Sequence, residues 1–342
     1  MHIPDGYLSL QTSIPIFGAM IPIWSLVFNK LKSTLNYRKV PLLSLCAAFS
    51  FVVMMFNIPL GASSVHAVGA VFIAVVLGPS AACVAVSAAL IIQAFIFGDG
   101  GKLAIGANCF NIAFAMSFVG YYVYKFIKGK SDILSKRSML GIFLGSYVGL
   151  NTAALLTAIE FGIQPILFKT AEGIPEYGFY PLSVAVPAIM LEHLLIAGPI
   201  EGIITCSMIG YLAKFSPQIF QTGINNSIEK SEKFSFGSYK AFAFGLIIMI
   251  LAVPLGLLAE GTAWGEWGPD EVMDMLGYIP RGMEGFFSWW SGFVPDYSFP
   301  GLDGNFTQSS LGYILSAIIG VLLIFTLMFV SSKLICNKEE SK

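Results

Sequence analysis

Nine apolar segments divide this chain of 342 residues, and most of them have the length of a membrane-crossing helix. Such a helix needs about 20 apolar residues to cross the hydrocarbon core of a bilayer. Only 11% of the residues are charged, against roughly 25% in an ordinary soluble domain. The sequence therefore predicts an all-α integral membrane protein, a polytopic helix bundle that crosses the membrane about eight or nine times.

The third of these segments differs from the others, because it is too short to cross the membrane alone. We expect it to be a re-entrant or broken helix, which is tolerated only where protein buries its backbone. The predicted spans lie at 10–28, 40–57, 67–78, 81–97, 106–124, 139–160, 181–212, 239–258 and 309–331.

The distribution of charge predicts the orientation of the bundle. If the N-terminus lies outside, 16 of the 19 basic residues fall inside, and only Lys102, Lys169 and Arg281 fall outside. This asymmetry follows the positive-inside rule, so we expect the N-terminus outside and the C-terminus inside. The same orientation places 13 of the 20 acidic residues outside, Glu160 among them. No basic residues precede the first span, so we expect it to stay attached rather than to be cleaved as a signal peptide.

The chain opens "MHIPDGYL", which places one of its three histidines at residue 2. An amino-terminal X-His dipeptide can bind a metal through the free amine, the deprotonated amide nitrogen and Nδ1 of the imidazole, in two small rings of low strain. Planar nitrogen coordination of this kind suits Ni(II) or Cu(II). The fourth nitrogen is expected from His66, in "NIPLGASSVHAVGAVF" at the outer end of the second span. From the residues alone, His2 as an incidental terminal residue and His66 as a packed hydrogen-bonding group stay open.

Two further segments carry polar residues near the predicted spans. In "FGDGGKLAIGANCFN" and just before it, we interpret four residues as groups that orient a metal-bound imidazole, with a plain hydrogen-bonded turn as the alternative. These are Gln93, Asp99, Asn108 and Asn111. "MLEHLLIAGPIEGIITC" contains Glu192, His193 and Glu201, for which a metal relay, a structural role and a contact with another membrane subunit all stay open.

The stretches "MHIPDGYLS", "GASSVHAVGAVFIAVVLGPSAACVAVSAALIIQAFIFGDGG" and "LAIGANCFNIAFA" resemble the CbiM/NikM family over about residues 1–215. Members of this family are the substrate-binding components of cobalt and nickel energy-coupling-factor transporters. The resemblance implies that the amine of Met1, the backbone nitrogen and imidazole of His2, and His66 bind the metal. It also implies that Ni²⁺ or Co²⁺ is the transported substrate. The opening "HIPDG" is more similar to the nickel branch, so we expect Ni²⁺ first and Co²⁺ next.

The last third of the chain follows a different plan. After a predicted cytoplasmic linker at 216–238, residues 239–342 form two spans joined by a long outer loop that is rich in Trp and acidic residues. The arrangement, together with "VPDYSFPGL" and "LGYILSAIIGVLLI", resembles the small two-span accessory component (CbiN/NikN-like) of the same transporters. We therefore predict a metal-binding domain at 1–215 with a fused accessory domain.

The chain has no Walker A lysine motif, so we expect that it does not use ATP itself. The resemblance implies separate ATP-binding-cassette ATPase subunits, a transmembrane coupling (T) component and a location in the cytoplasmic membrane of a prokaryote. We expect no catalytic cofactor and no nucleic-acid partner. Three alternatives stay open: a membrane metalloenzyme, a small-molecule carrier in which the histidines are structural, and a self-sufficient secondary carrier. Against the metalloenzyme, no HExxH motif is present.

Overall fold

The computed structural model describes residues 1–34, 39–61, 63–220, 239–259, 261–287 and 289–335. From residue 221 onward the predicted linker lies outside the described residues, as does the end of the accessory domain after residue 335. Within the described ranges, the regular structure is helical apart from one short antiparallel hairpin, in which Ile58 pairs with Val65, and a single bridge between Lys169 and Pro175. The prediction of an all-α membrane fold is confirmed.

The first part of the chain contains nine of the described α-helices, and the accessory part contains four. The first nine are α1 (Leu10–Thr34), α2 (Val40–Met54), α3 (Ala70–Leu77), α4 (Pro79–Ile92), α5 (Ile105–Asn108), α6 (Met116–Lys128), α7 (Lys136–Leu167), α8 (Leu182–Glu192) and α9 (Gly198–Phe215). The hairpin strands β1 (Ile58–Leu60) and β2 (Ser63–Val65) precede α3. The accessory helices are α10 (Lys240–Ala252), α11 (Pro269–Leu276), α12 (Arg281–Phe287) and α13 (Phe306–Ile335).

Seven helical stretches of the described ranges are long and apolar enough to cross a membrane. The apolar α2 is shorter, and α3 has only eight residues, so α3 cannot cross the membrane alone. The span count of eight to nine and the orientation of the bundle stay predictions. The seven stretches are Leu10–Ser33, Pro79–Phe97, Ile105–Lys128, Lys136–Leu167, Leu182–Phe215, Lys240–Leu258 and Phe306–Ser331.

Small residues allow two of the long helices to pack closely. A Cβ atom on Gly120 of α6 would lie 2.7 Å from the carbonyl oxygen of Gly145 on α7. One on Gly149 would lie 2.8 Å from the carbonyl oxygen of Met116. Inside a bilayer, where lipid is as apolar as leucine, such close backbone contact is a main source of helix association.

Glu160 was expected in an outer loop, and this expectation is wrong. The helix α7 continues to Leu167, so Glu160 lies inside it with only 8% of its surface exposed. Its carboxylate accepts a hydrogen bond of 2.7 Å from the side-chain amide of Asn111. The sequence shows a charge at the end of an apolar segment, but it does not show the buried amide that lets the segment continue past that charge.

Three π-helical turns interrupt the membrane helices within the described ranges. They span Gln93–Phe97, Cys109–Ala115 and His193–Ala197. Single π-turns inside α-helices are rare and are found mostly at functional sites, because the extra residue changes which side chains face the interior. Each of the three contains a polar residue that the sequence analysis singles out.

The accessory part packs against the first part through main chain as well as side chains. The amides of Phe293 and Val294 both donate to the carbonyl oxygen of Ile96, at 2.7 and 2.9 Å. A Cβ on Gly98 would lie 2.4 Å from the carbonyl oxygen of Ser291, and one on Gly292 would lie 2.7 Å from the nitrogen of Gly98. Only glycine fits at these two positions, and we call their contact the glycine seam.

Candidate metal site

The first residues of the chain are inserted into the protein. Met1, His2 and Ile3 are 6%, 1% and 0% exposed. Asn108 holds the backbone of Ile3 from both sides: its Oδ1 accepts from the Ile3 nitrogen at 2.8 Å, and its Nδ2 donates to the Ile3 oxygen at 3.1 Å. The amide of Gly101 donates to the same oxygen at 2.7 Å. Chain ends are usually frayed, so this many contacts on residues 1–3 indicate that the fold holds them in a defined position.

Asp5 fastens the next turn of the N-terminal segment. Its carboxylate accepts from the amides of Lys102 and Leu103, at 3.0 and 2.8 Å, and from the indole of Trp289 at 3.2 Å. Residues 5–7 form a turn, in which Gly6 has φ +89°, a value that few residues other than glycine adopt. Segment 1–8 thus lies between the 98–108 loop and the accessory part.

His66 is held by its own loop, in a tautomer suited to metal binding. Its Nδ1 lies 3.1 Å from the carbonyl oxygen of Ala67, so Nδ1 carries the proton and Nε2 keeps its lone pair. Burial, together with the nearby His2 ring and the Met1 amine, lowers the pKa of His66 well below its usual value. The ring is therefore neutral, which is the form that binds a metal ion.

The two predicted ligand histidines lie side by side. The centroids of the His2 and His66 rings are 5.0 Å apart, with 49° between their planes. Nδ1 of His2 donates to Oδ1 of Asp99 at 2.5 Å. Nε2 of His2 is buried without a hydrogen-bond partner among the described residues. Asp99 thus contacts an imidazole, but it does so at Nδ1 of His2, the nitrogen that would bind the metal in the predicted chelate.

Asp99 is itself held by two side chains. The hydroxyl of Tyr297 donates to Oδ2 of Asp99 at 2.5 Å, and the amide of Gln93 donates to the same oxygen at 3.2 Å. Burial opposes ionisation of Asp99, but the charge and hydrogen bond of His2 and the hydroxyl of Tyr297 lower its pKa overall. Asp99 is therefore a carboxylate, and Gln93 acts on Asp99 rather than on an imidazole.

The amine of Met1 forms an ion pair across the two parts of the protein. It lies 2.5 Å from Oε1 of Glu266, in the long loop of the accessory part. Met1 and His2 are thus each held by one carboxylate, and both carboxylates are partly buried. A divalent ion bound at these nitrogens would have Asp99 and Glu266 beside it to neutralise its charge.

The nitrogens gathered here can form one kind of metal site. No group of three His, Cys, Asp or Glu side chains in the described part of the chain is placed to hold a metal ion. A set built on the Met1 amine, the His2 amide and two imidazoles does not need such a group, because two of its four nitrogens belong to the main chain. To bind Nδ1 of His2 and the amine of Met1, the metal must displace the hydrogen bonds that these two nitrogens donate to Asp99 and Glu266.

The other residues singled out in the sequence lie in different surroundings. Asn111 donates to Thr157 Oγ1 and to Glu160 inside the membrane helices, and in the part of the chain that the structure describes no hydrogen bond joins it to a histidine. Nδ1 of the buried His193 donates to the carbonyl oxygen of Ile189 at 2.8 Å. Glu192 is partly buried at the end of α8.

Glu201 has a role that the sequence does not reveal. Its carboxylate accepts from the amides of Val68 and Gly69, at 2.7 and 2.9 Å, so it contacts the loop that carries His66.

Two residues of the site come from the accessory part and were not predicted. Glu266 and Tyr297 lie more than 190 residues along the chain from the groups that they contact, as the pairs with Met1 and Asp99 show. Tyr297 belongs to the motif "VPDYSFPGL", which indicates a resemblance to the accessory component but not a contact with Asp99. No local pattern indicates that its hydroxyl reaches Asp99.

Comparison with known proteins identifies both parts of the chain. The family described as "Cobalt uptake substrate-specific transmembrane region" (CbiM) matches residues 2–219. The PDGLE domain family matches residues 239–337. The two matches leave out residues 220–238, which overlap the linker predicted at 216–238.

Relatives of similar length contain both parts. The fused nickel transport protein NikMN of Rhodobacter capsulatus is 43% identical over 341 residues, which cover 95% of each chain. The probable fused nickel transport protein LarMN of Lactiplantibacillus plantarum is 39% identical over 338 residues and 96% of each chain. A crystal structure of a truncated transition metal transporter is 45% identical, with a TM-score of 0.59, and covers 63% of this chain and 99% of its own.

Proposed function

Because the chain belongs to the CbiM family of cobalt uptake substrate-specific transmembrane proteins and carries a fused PDGLE domain, we propose that it captures Ni²⁺, with Co²⁺ next, for import. The chain is a metal-uptake protein of the membrane and not an enzyme. Two observations support the preference for nickel. Two relatives are named as nickel transport proteins, and a planar set of four nitrogens is a coordination geometry that Ni²⁺ favours.

Four nitrogens hold the metal in this proposal: the Met1 amine, the His2 amide, Nδ1 of His2 and Nε2 of His66. The observation that carries it is the insertion of the chain's start into the protein, with the His2 and His66 rings 5.0 Å apart. On binding, the metal replaces the protons that the Met1 amine and His2 Nδ1 share with Glu266 and Asp99, and it also replaces the amide proton of His2. The displaced protons pass to solvent, so affinity rises with pH. The two carboxylates then stay beside the bound ion and lower the cost of placing its charge away from water.

The accessory part covers this site in the proposal. Glu266, Tyr297 and Trp289 contact Met1, Asp99 and Asp5 respectively. These contacts support a role in closing the site over the metal or in admitting it, since Met1 and His2 are buried beneath them.

Energy for import comes from other subunits in this proposal, because the chain has no Walker A motif. Separate ATP-binding-cassette ATPases would act through a transmembrane coupling component, in the cytoplasmic membrane of a prokaryote. This assembly rests on the family resemblance, and its test is co-purification of the chain with both kinds of subunit.

An inserted alanine tests the ligand set. One alanine placed between Met1 and His2 lengthens a buried segment that Asn108 and Gly101 hold at Ile3, so the amine and the imidazole can no longer both keep their places. The new X-X-His start could bind a metal only through a second amide nitrogen, in a set that does not need His66. We expect the Ni(II) and Co(II) affinities of the purified protein to fall at least about a hundredfold, equivalent to about 3 kcal/mol. The measurement is isothermal titration calorimetry on the detergent-solubilised full chain.

The matched control is one alanine inserted after Lys130, in an exposed turn between α6 and α7. It should leave both affinities within about threefold of the unmodified protein. Unchanged affinity in the first variant that is still lost on His66→Ala contradicts the proposed ligand set, whereas affinity that no longer depends on His66 comes from the X-X-His start. Metal accumulation by this chain alone, in vesicles without any ATPase, contradicts the proposed dependence on other subunits.

A further inference from the structure

Glu201 is a fully buried acid in a membrane helix, and within the described residues its carboxylate accepts hydrogen bonds from main chain only. It lies in the first turn of α9, where its two oxygens accept from the amides of Val68 and Gly69 at 2.7 and 2.9 Å. An ionisable residue at such a place is a functional feature by default, because it costs free energy unless its partners compensate. Its partners here lie two and three residues after His66.

The two amides need an acceptor, because they come just before α3. The first N–H groups of a helix have no partner within the helix, and α3 begins at Ala70. No water in the hydrocarbon core can replace the missing acceptor. A carboxylate at this end also interacts favourably with the helix dipole. Glu201 therefore fixes where the chain between His66 and α3 lies.

Other contacts restrict the same loop, so the loop has little freedom once Glu201 is in place. The hydroxyl of Ser50 donates to the carbonyl oxygen of Val68 at 2.8 Å. Gly69 has φ +74°, and a Cβ on it would lie 2.6 Å from the ring of Phe49. The imidazole of His66 is joined through Nδ1 to the oxygen of Ala67. The position of its Nε2 thus follows the backbone that Glu201 holds.

We propose that Glu201 is a positioning residue for His66, which it places so that its Nε2 completes the planar nitrogen set. This role rests on the proposed function. Metal–nitrogen bonds are short and directional, so a small shift of the loop is enough to lose the fourth ligand. Groups that orient metal ligands typically change metal affinity about 10- to 100-fold when they are replaced.

Glu160 provides a matched control. It is also a buried glutamate of a membrane helix, but its carboxylate accepts from the side chain of Asn111 and forms no hydrogen bond to the described residues of the His66 loop. Replacement by glutamine keeps the size of either side chain and removes one acceptor oxygen. In Glu201→Gln, one of the two loop amides loses its acceptor. In Glu160→Gln, the loop is untouched.

The experiment compares Glu201→Gln, His66→Ala, the double variant and Glu160→Gln in the full-length chain. Affinity for Ni(II) is measured by calorimetry, and the ligand set is followed by the visible ligand-field absorption of bound Ni(II). For Glu201→Gln we expect a loss of about 10- to 100-fold in affinity. We also expect an absorption band that matches that of His66→Ala, in which water replaces the imidazole. Added free imidazole should restore the original band in both, and Glu160→Gln should keep both affinity and band.

The double variant separates action through His66 from a general structural effect. If Glu201 acts through His66, the double variant binds Ni(II) no more weakly than His66→Ala alone. Additive losses in the double variant overturn the proposal, as does an unchanged Ni(II) band in Glu201→Gln. If His66→Ala itself changes neither affinity nor band, the proposed function fails at its ligand set. If His66→Ala has its effect and Glu201→Gln has none, only the positioning role fails.

A second variant covers the case in which Glu201→Gln does not fold, as judged by gel filtration. Ser50→Ala removes the hydrogen bond to Val68 on the same loop and leaves Glu201 intact. We expect a loss of affinity of a few fold, roughly 1 kcal/mol by the fold-change conversion, with recovery of the band on adding imidazole. An unchanged band and affinity in Ser50→Ala would count against loop positioning.

Discussion

The two histidines of the candidate site are held in opposite ways. His66 belongs to a loop fixed by main-chain hydrogen bonds to Glu201 and Ser50, inside the helix bundle. His2 belongs to a chain end that is fixed by side chains of the 98–108 loop and of the accessory part. One half of the site is therefore held by the helix bundle, and the other half is held by a terminal segment that packs against the 98–108 loop and the accessory part. This difference predicts that substitutions near segment 1–8 disturb His2 without unfolding the bundle, whereas substitutions in the His66 loop disturb both the site and the bundle.

The largest expected effect separates the two histidines. His2→Ala removes an imidazole that closes a chelate ring, so we expect Ni(II) affinity to fall about a thousandfold, or about 4 kcal/mol. His66→Ala removes a ligand that is not part of a chelate, so its loss should be about ten times smaller. Calorimetry with and without free imidazole measures the difference, since a small ligand can replace His66 but not a ring-closing group. Equal losses, or rescue of His2→Ala, would remove the distinction.

The second prediction concerns a substitution that displaces segment 1–8 but replaces none of the proposed metal ligands. In Gly101→Ala the new Cβ would lie 2.3 Å from a carboxylate oxygen of Asp5 and 2.5 Å from its backbone nitrogen, so segment 1–8 must move. We expect a loss of about a hundredfold in Ni(II) affinity. The melting temperature should change little, and aminopeptidase should trim the chain faster. Gly210→Ala, where a Cβ meets nothing within 4 Å, is the control and should behave as the unmodified protein.

The third prediction disturbs the loop that carries His66. Here, unlike in Gly101→Ala, we expect the melting temperature to fall together with the metal affinity. Gly69→Ala combines a strained φ of +74° with a contact of 2.6 Å to Phe49. Strain of this kind costs about 1–3 kcal/mol. Because the loop is part of the bundle, the cost should lower the melting temperature as well as the metal affinity. If Gly69→Ala weakens metal binding at an unchanged melting temperature, the loop is less integral to the fold than its contacts indicate.

The smallest expected effect concerns the accessory part. Tyr297→Phe removes the hydroxyl that donates to Asp99 and leaves the ring in its stack with Phe97. A hydrogen bond to a charged group contributes about 1.5–3 kcal/mol, part of which solvent can replace at this partly buried carboxylate. We expect Ni(II) affinity to change by less than about tenfold. The dissociation rate, followed by stopped-flow chelator exchange, should change more than the association rate. Tyr313→Phe, which instead loses a bond to Met55, is the control.

The sequence predicts the class of fold well, because apolar segments of membrane length are a direct physical requirement of the bilayer. It also predicts that the segment now seen as α3 is too short to cross. It fails at Glu160, since a charge at the edge of an apolar segment gives no sign of the Asn111 amide that buries it. The π-helical turns were not predicted either, because they have the same composition as the α-helices that they interrupt.

At the candidate site, the sequence identifies most residues but not their contacts. Gln93, Asp99, Asn108 and Asn111 were expected to orient an imidazole, and of these four only Asp99 forms a hydrogen bond to one in the described part of the chain. Asn108 holds the backbone of Ile3, which no side-chain pattern could indicate. The pairs of Met1 with Glu266 and of Glu201 with Val68 join residues far apart in the chain, so they depend on tertiary packing that a single sequence does not display.

The glycine seam has a consequence for how the two parts remain associated. Where Gly98 meets Gly292, main chain lies directly on main chain, and the neighbouring amides of Phe293 and Val294 share the oxygen of Ile96. Such a joint should tolerate most substitutions elsewhere in the two parts, but it leaves no room for a side chain at Gly98 or Gly292. Because main chain of both parts forms the joint, its contacts do not include the peptide connection between the two parts.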